Sequence, residues 1–151
     1  MNSMIRNVLE RSHEAIVDAG LNPEDVSNTR MGVMIGSNIS ESENTKILLG
    51  KHNYGYGILG HNRALLANRV SYWFNAHVIV VMSAGPSYAL QSSETSGVEV
   101  LTKAYEAIKN GHCDTALVGA VSFALHPEIS YHYKGLGVLS EDGCNRSFDD
   151  N

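Results

Sequence analysis

Apolar residues at Ile5, Val8, Leu9, Ile16 and Ala19 recur at the spacing of one helical face, and the pattern stops at Gly20 with Pro23 just beyond. A first helix is predicted there. A short β-type run, Met31 to Ile35, ends on Gly36-Ser37, and Asn38 to Asn53 then turns polar and irregular, as a surface loop does. Leu59 to Trp73 reads as helical, with Leu65, Leu66, Ala67 and Val70 available for one buried face. Val78 to Met82 and Tyr88 to Leu90 have strand character. Val98, Leu101, Ala104, Tyr105 and Ile108 form a further amphipathic stripe that ends at Asn110-Gly111, and Thr115 to Leu125 is an apolar run suited to a buried strand.

Helix and strand thus alternate along the chain, which predicts an α/β layered fold with helices packed on a mixed sheet. No internal repeat or linker divides it, so residues 1–151 read as one domain. The last stretch, from Gly135 to Asn151, is rich in Gly, Ser and Asp and adds no closing element, so the domain reads as stopping partway.

Composition narrows the function classes. With 151 residues, 43% hydrophobic and 18% charged, the chain is long enough to bury a core. Its net charge of -5 and isoelectric point near 5.7 argue against a nucleic-acid partner, because phosphate binding needs a basic surface. No signal-peptide pattern opens the chain, and Val78 to Met82 is far too short to span a bilayer, so a cytoplasmic protein without membrane association is expected. Cys113 and Cys144 are far apart and lie in no metal or redox spacing, which predicts two reduced thiols. His52, His61, His77, His112, His126 and His132 show no H-x-x-x-H or H-E-x-x-H spacing, and no metal site is expected.

Gly55-Tyr56-Gly57-Ile58-Leu59-Gly60 matches G-x-G-x-x-G letter for letter, but its context does not fit a dinucleotide site. Lys51 to Tyr54 is not a hydrophobic strand, and no Asp or Glu lies between His61 and Ser93 to hold a ribose. A Gly/Tyr loop feeding a helix is the better reading, and no cofactor is expected.

More informative is the segment from Gly85 to Gly97, where a strand runs into a turn of small residues, Gln91-Ser92-Ser93-Glu94-Thr95, and then into a helix. Such a turn presents a side chain at the positive end of a helix dipole, where an anion is favoured. Gly85-Pro86-Ser87 with the strand after it, and Ala104-Tyr105-Glu106-Ala107-Ile108 beyond, resemble the nucleophile region of β-ketoacyl synthases. Further blocks follow in the same order. Tyr56 and Gly60 to Ser71, including Ala67-Asn68-Arg69-Val70-Ser71, resemble the stretch before the nucleophile. Gly111-His112-Cys113-Asp114-Thr115-Ala116, Leu136-Gly137-Val138-Leu139-Ser140, Gly143 and Phe148-Asp149 resemble later motifs. The resemblance covers essentially the whole chain and is closest in character to the fatty acid synthases of animals, arthropods among them.

What the resemblance implies is a thiolase-like fold, of which this chain holds an incomplete N-terminal half without the opening strand. The implied reaction is a decarboxylative condensation: a cysteine takes an acyl chain and then attacks malonyl carried on the phosphopantetheine of acyl carrier protein. Acyl carrier protein, acyl and malonyl thioesters, and a second copy of the full domain are the implied partners. The family's Asp-Thr-Ala-Cys string is Gln91-Ser92-Ser93-Glu94 here, so Glu94 stands at the nucleophile position. Cys113 and Cys144 align with ordinary positions. The two histidines that serve malonyl decarboxylation in the family fall beyond Asn151, and Asn75 to Ala84 is longer than the family's connection, near the strand its members pair across their dimer.

A carboxylate is a weak nucleophile whose acyl product would be a labile anhydride. The same turn also reads as a helix start, with Ser96 capping and Glu99 reaching back in a capping box. Three functions follow from these readings: a ketosynthase part that does not condense by itself, a non-catalytic module that binds acyl chains or partners, and, less favoured, a malonyl-thioester decarboxylase.

Overall fold

The computed structural model describes residues 2–40, 58–60, 62–76, 85–124 and 126–146. Helix α1 (Ser3–Asp18) starts on Asn2, whose side chain accepts a hydrogen bond from the backbone N–H of Met4 at 3.1 Å, and buries Met4, Ile5, Val8, Ser12 and Ile16. It ends where Gly20 adopts φ +76, which lets Leu21 N–H close on the Ile16 carbonyl. Leu9 is only partly buried and Ala19 is exposed, so the inward face is narrower than the sequence suggests.

Strands β1 (Met31–Ser40), β2 (Ser87–Gln91) and β3 (Thr115–Phe123) form a sheet in the order β2-β1-β3. Both pairings are parallel, with Val33 opposite Ser87 and Leu117, and Ser37 opposite Gln91 and Val121. The described strands therefore run one way, where the alternation of elements predicts a mixed sheet. The reason lies in the connections, because each passes through a helix that returns the chain to the same end of the sheet.

Helices α1 and α2 (Leu66–Trp73) lie on one face and α3 (Ser96–Lys109) on the other. Alternate residues of β1 serve the two sides: Val33 and Ile35 pack toward α1 and α2, and Met34 packs toward Val100, Ala104 and Ala107 of α3. Parallel strands covered on both faces need apolar residues at successive positions, which is why Met31 to Ile35 reads as a continuous run. A fully buried aliphatic side chain such as Leu66 or Val100 contributes about 1.5–3 kcal/mol. Helix α4 (Pro127–Gly135) closes the described elements and buries no residue fully.

Two boundaries differ from expectation. The predicted loop from Asn38 begins as strand, because β1 continues through Ser40 past an irregularity in its pairing with β3. The rest of that loop, to Asn53, lies outside the described residues, as do the Val78–Met82 run, the first half of the G-x-G-x-x-G match, and Phe148-Asp149. The single helix expected over Leu59–Trp73 is broken into 3-10 turns at Ile58–Gly60 and Arg63–Leu65 before α2 begins. Asn62 makes that break, since its side chain accepts from Ala64 N–H at 2.9 Å and restarts the helix.

Two glycines set how closely the elements meet. A Cβ on Gly85 would lie 2.4 Å from the Met31 carbonyl oxygen, so the chain entering β2 can pass the start of β1 only without a side chain. A Cβ on Gly36 would lie 2.8 Å from the Ser96 carbonyl oxygen, so the first turn of α3 sits directly on the middle of β1.

Candidate functional site

Parallel α/β sheets place ligand-facing residues beyond the carboxyl ends of their strands, and here β2 ends at Gln91 beside Ser37, near the carboxyl end of β1. Asn38 lies in the last residues of β1, and the turn Ser92 to Thr95 leaves the end of β2 and runs into α3. Tyr133 arrives from α4. The sequence alone draws attention to Glu94; it gives no signal for Asn38 or Tyr133, which lie 56 and 39 positions away and meet Glu94 only through the fold.

Glu94 is exposed, and its Oε1 accepts a 2.6 Å hydrogen bond from the Tyr133 hydroxyl. This bond is the main reason its carboxyl is held below the ordinary carboxylate range, followed by Glu94's own backbone N–H and the Asn38 side chain. The same bond raises the Tyr133 phenol, because losing its proton would place a second negative charge against the carboxylate. Glu94 is thus an anion anchored by two side chains from other elements. Arg63 donates to the Asn38 carbonyl at 2.7 Å and fixes the end of β1 from behind.

The hydroxyls of the turn are engaged with Glu99, though not as a capping box. Thr95 occupies the cap position, and Ser96 is already the first helical residue, buried at 4% exposure. Glu99 Oε1 accepts from Ser92 Oγ at 2.9 Å and from Thr95 Oγ1 at 2.8 Å, and Ser93 Oγ lies 3.0 Å from Thr95 Oγ1. Glu99 does reach back, but to side-chain hydroxyls and not to a backbone N–H. Ser96 cannot cap because its own position is packed under Gly36. No histidine or lysine among the described contacts of Ser92, Ser93 or Thr95 could take a proton from them.

Neither thiol has a described hydrogen bond to this turn. Cys113 precedes β3, at the opposite end of the sheet, where Gly32 lets its sulfur approach the backbone of β1. It is 2% exposed, and burial pushes its thiol up, away from a reactive thiolate. Cys144 is exposed in the loop after α4, its N–H donating to Asp142. Among the described residues no group of His, Cys, Asp or Glu could hold a metal ion, and no helix is long and apolar enough to cross a membrane.

The arrangement therefore presents one anchored carboxylate and a set of engaged hydroxyls where a strand-turn-helix unit points its end. Over residues 1–151 the chain matches the family described as "Beta-ketoacyl synthase, N-terminal domain". It is 37% identical over 149 residues to a fatty acid synthase of Anser anser anser, covering 99% of this chain and 40% of that protein. It is 35% identical over 156 residues to the polyketide synthase PksM of Bacillus subtilis, covering 98% of this chain and 3% of that protein. Among solved structures, it superposes on the ketosynthase from module 6 of the Bacillus subtilis bacillaene synthase with a TM-score of 0.76 at 28% identity, over 100% of this chain and 23% of that one. An oxazolomycin ketosynthase domain of Streptomyces albus gives 0.76 at 30% identity, over 97% and 24%. The chain thus spans less than half the length of these relatives.

Proposed function

The chain belongs to the β-ketoacyl synthase N-terminal domain family, and on that ground we propose that it is a ketosynthase part of a fatty acid synthase-like protein that does not condense by itself. The observation that carries this reading is the anchored carboxylate of Glu94, held by Tyr133 in the turn that the resemblance aligns with the family's nucleophile. In that reaction the thiolate attacks the acyl thioester carbonyl, the carrier thiol leaves, and the enzyme-bound thioester is then consumed by the carbanion left when malonyl loses carbon dioxide. A Glu94 carboxylate would have to form a mixed anhydride in the first step. That product is far more reactive than the thioester it came from, and a lowered carboxyl pKa weakens the attacking oxygen further. Ser92 and Ser93 offer no substitute, since a serine hydroxyl needs a positioned base and their described partners are a carboxylate already shared and another hydroxyl.

On this reading the partners are acyl carrier protein and its phosphopantetheine-borne acyl and malonyl thioesters, and a second copy of the full domain, in the cytoplasm. Incubating the chain with a long-chain acyl thioester and malonyl-acyl carrier protein is expected to yield no β-ketoacyl product. Product formed at a rate above that of the mixture without protein would overturn the reading.

A second reading, a non-catalytic module that binds acyl chains or partner domains, draws on the packed core combined with large apolar residues left exposed on α3 and α4. Saturable binding of acyl carrier protein without turnover supports it. A decarboxylase is disfavoured, because the Glu94 charge would stand against the carboxylate of a bound malonyl group.

A further inference from the structure

Strand β1 carries one more residue than β3 at the end nearest Glu94. Its register runs Ser37 opposite Val121 and Ser40 opposite Phe123, so three steps on β1 answer two on β3, and Asn38 and Ile39 have no partner there. On the other side β2 ends at Gln91, opposite Ser37, and offers them none either. A β-bulge of this kind takes backbone groups out of the ladder and re-aims a side chain, and bulges concentrate beside functional sites. A carbonyl freed in this way needs another donor. The Asn38 carbonyl finds one in Arg63, whose Nη1 donates to it at 2.7 Å.

Local structure places both ends of this contact. Asn62 caps the 3-10 turn Arg63–Leu65 by accepting from Ala64 N–H, and from that fixed backbone the Arg63 side chain reaches β1 across 25 positions of sequence. On β1, successive residues alternate between the two faces of the sheet, and Gly36 lies against Ser96 in the first turn of α3. Asn38, two residues on, falls over the turn that leads into α3. Its side chain bonds to both Glu94 and Tyr133, which are themselves joined at 2.6 Å. Of these three side chains, Asn38 is the one that stands on a strand, and at the bulge Arg63 supplies the hold that the sheet does not.

We propose that Arg63 is a positioning residue for Glu94: by gripping the bulge at the Asn38 carbonyl it keeps the Asn38 amide on the Glu94 carboxylate, and so acts on that anion through Asn38. This deepens the site of the proposed function and rests on that reading only in taking the turn as the place of the chain's chemistry. Its test needs no thioester, so condensation by the chain would overturn that reading and leave the role of Arg63 standing.

The test is the titration of the Glu94 carboxyl, followed by NMR in the 151-residue chain labelled with carbon-13 glutamate, with Glu94→Gln assigning the signal. The Tyr133 bond is the largest influence holding that carboxyl down, and the Asn38 side chain is a smaller one in the same direction. Asn38→Ala is therefore expected to move the midpoint upward. Arg63→Ala is expected to move it upward by a comparable amount, and the two together by no more than Asn38→Ala alone, because one acts through the other. Arg63→Lys, which keeps a donor, is expected to recover at least half of the shift. A midpoint unmoved by Arg63→Ala overturns the proposal, and is what a merely structural role would give. A shift that persists undiminished in the Asn38→Ala background also overturns it, since the Arg63 charge would then act on Glu94 directly. If Arg63→Ala does not fold, Arg63→Met, which keeps the packed aliphatic stem and removes every donor, takes its place in the same cycle with the same contrary outcomes.

Discussion

Glu94 and Tyr133 form a pair whose two pKa displacements point in opposite directions, and that fixes when the contact stabilises the fold. A carboxyl lowered in the folded state adds stability above its unfolded pKa, and that stability is lost as pH falls through the folded value. A phenol raised in the folded state adds stability below its unfolded pKa, lost as pH rises through the folded value. The Tyr133→Phe variant should therefore melt below the wild type by a constant margin between the two ranges, and the margin should close both in acid and in alkali. Thermal melts from about pH 3 to about pH 11 check this, and a margin independent of pH would show that the hydroxyl makes no such bond. The thiols separate at the same scale. Cys144, exposed, should be alkylated by iodoacetamide under native conditions, and Cys113, buried with a raised thiol, only after denaturation; peptide mass spectrometry reads the order.

At the scale of elements, α3 divides its apolar residues between two environments, and substitutions should show it. Val100→Ala, at a fully buried position against β1, is expected to cost about 1–2 kcal/mol, while Leu101→Ala at an exposed position should stay within about 0.5 kcal/mol by urea denaturation. Gly36→Ala is expected to destabilise by about 1–3 kcal/mol, because its methyl meets the Ser96 backbone, which has no rotamer to yield with. These elements also mark how far the sequence can be read. Period and stop signals locate α1, β2, α3 and β3 to within a few residues, since Gly20, Gln91 and Gly111 punctuate them locally. The apolar stripe of α3 is visible in the spacing, but which half of its arc meets the sheet depends on how Ser96 seats under Gly36, a contact sixty positions apart. The same holds for the turn, where the spacing spells a capping box and the fold uses Glu99 to gather hydroxyls instead.

At the scale of the whole molecule, the layered α/β arrangement and the position of the strand-turn-helix unit are legible in the alternation of elements and in the resemblance to β-ketoacyl synthases, and the family match and the superposition agree. The parallel direction of the described strands and the meeting of Asn38, Glu94 and Tyr133 are not, because both depend on connections between distant segments. On the proposed reading that meeting makes Glu94 an anchored anion where the family resemblance aligns its nucleophile, and the intact mass of the chain after incubation with excess long-chain acyl-CoA at neutral pH tests it. An unchanged mass is the expected result, and an acyl adduct that peptide mapping places on Glu94 or on the turn from Ser92 to Thr95 would contradict it.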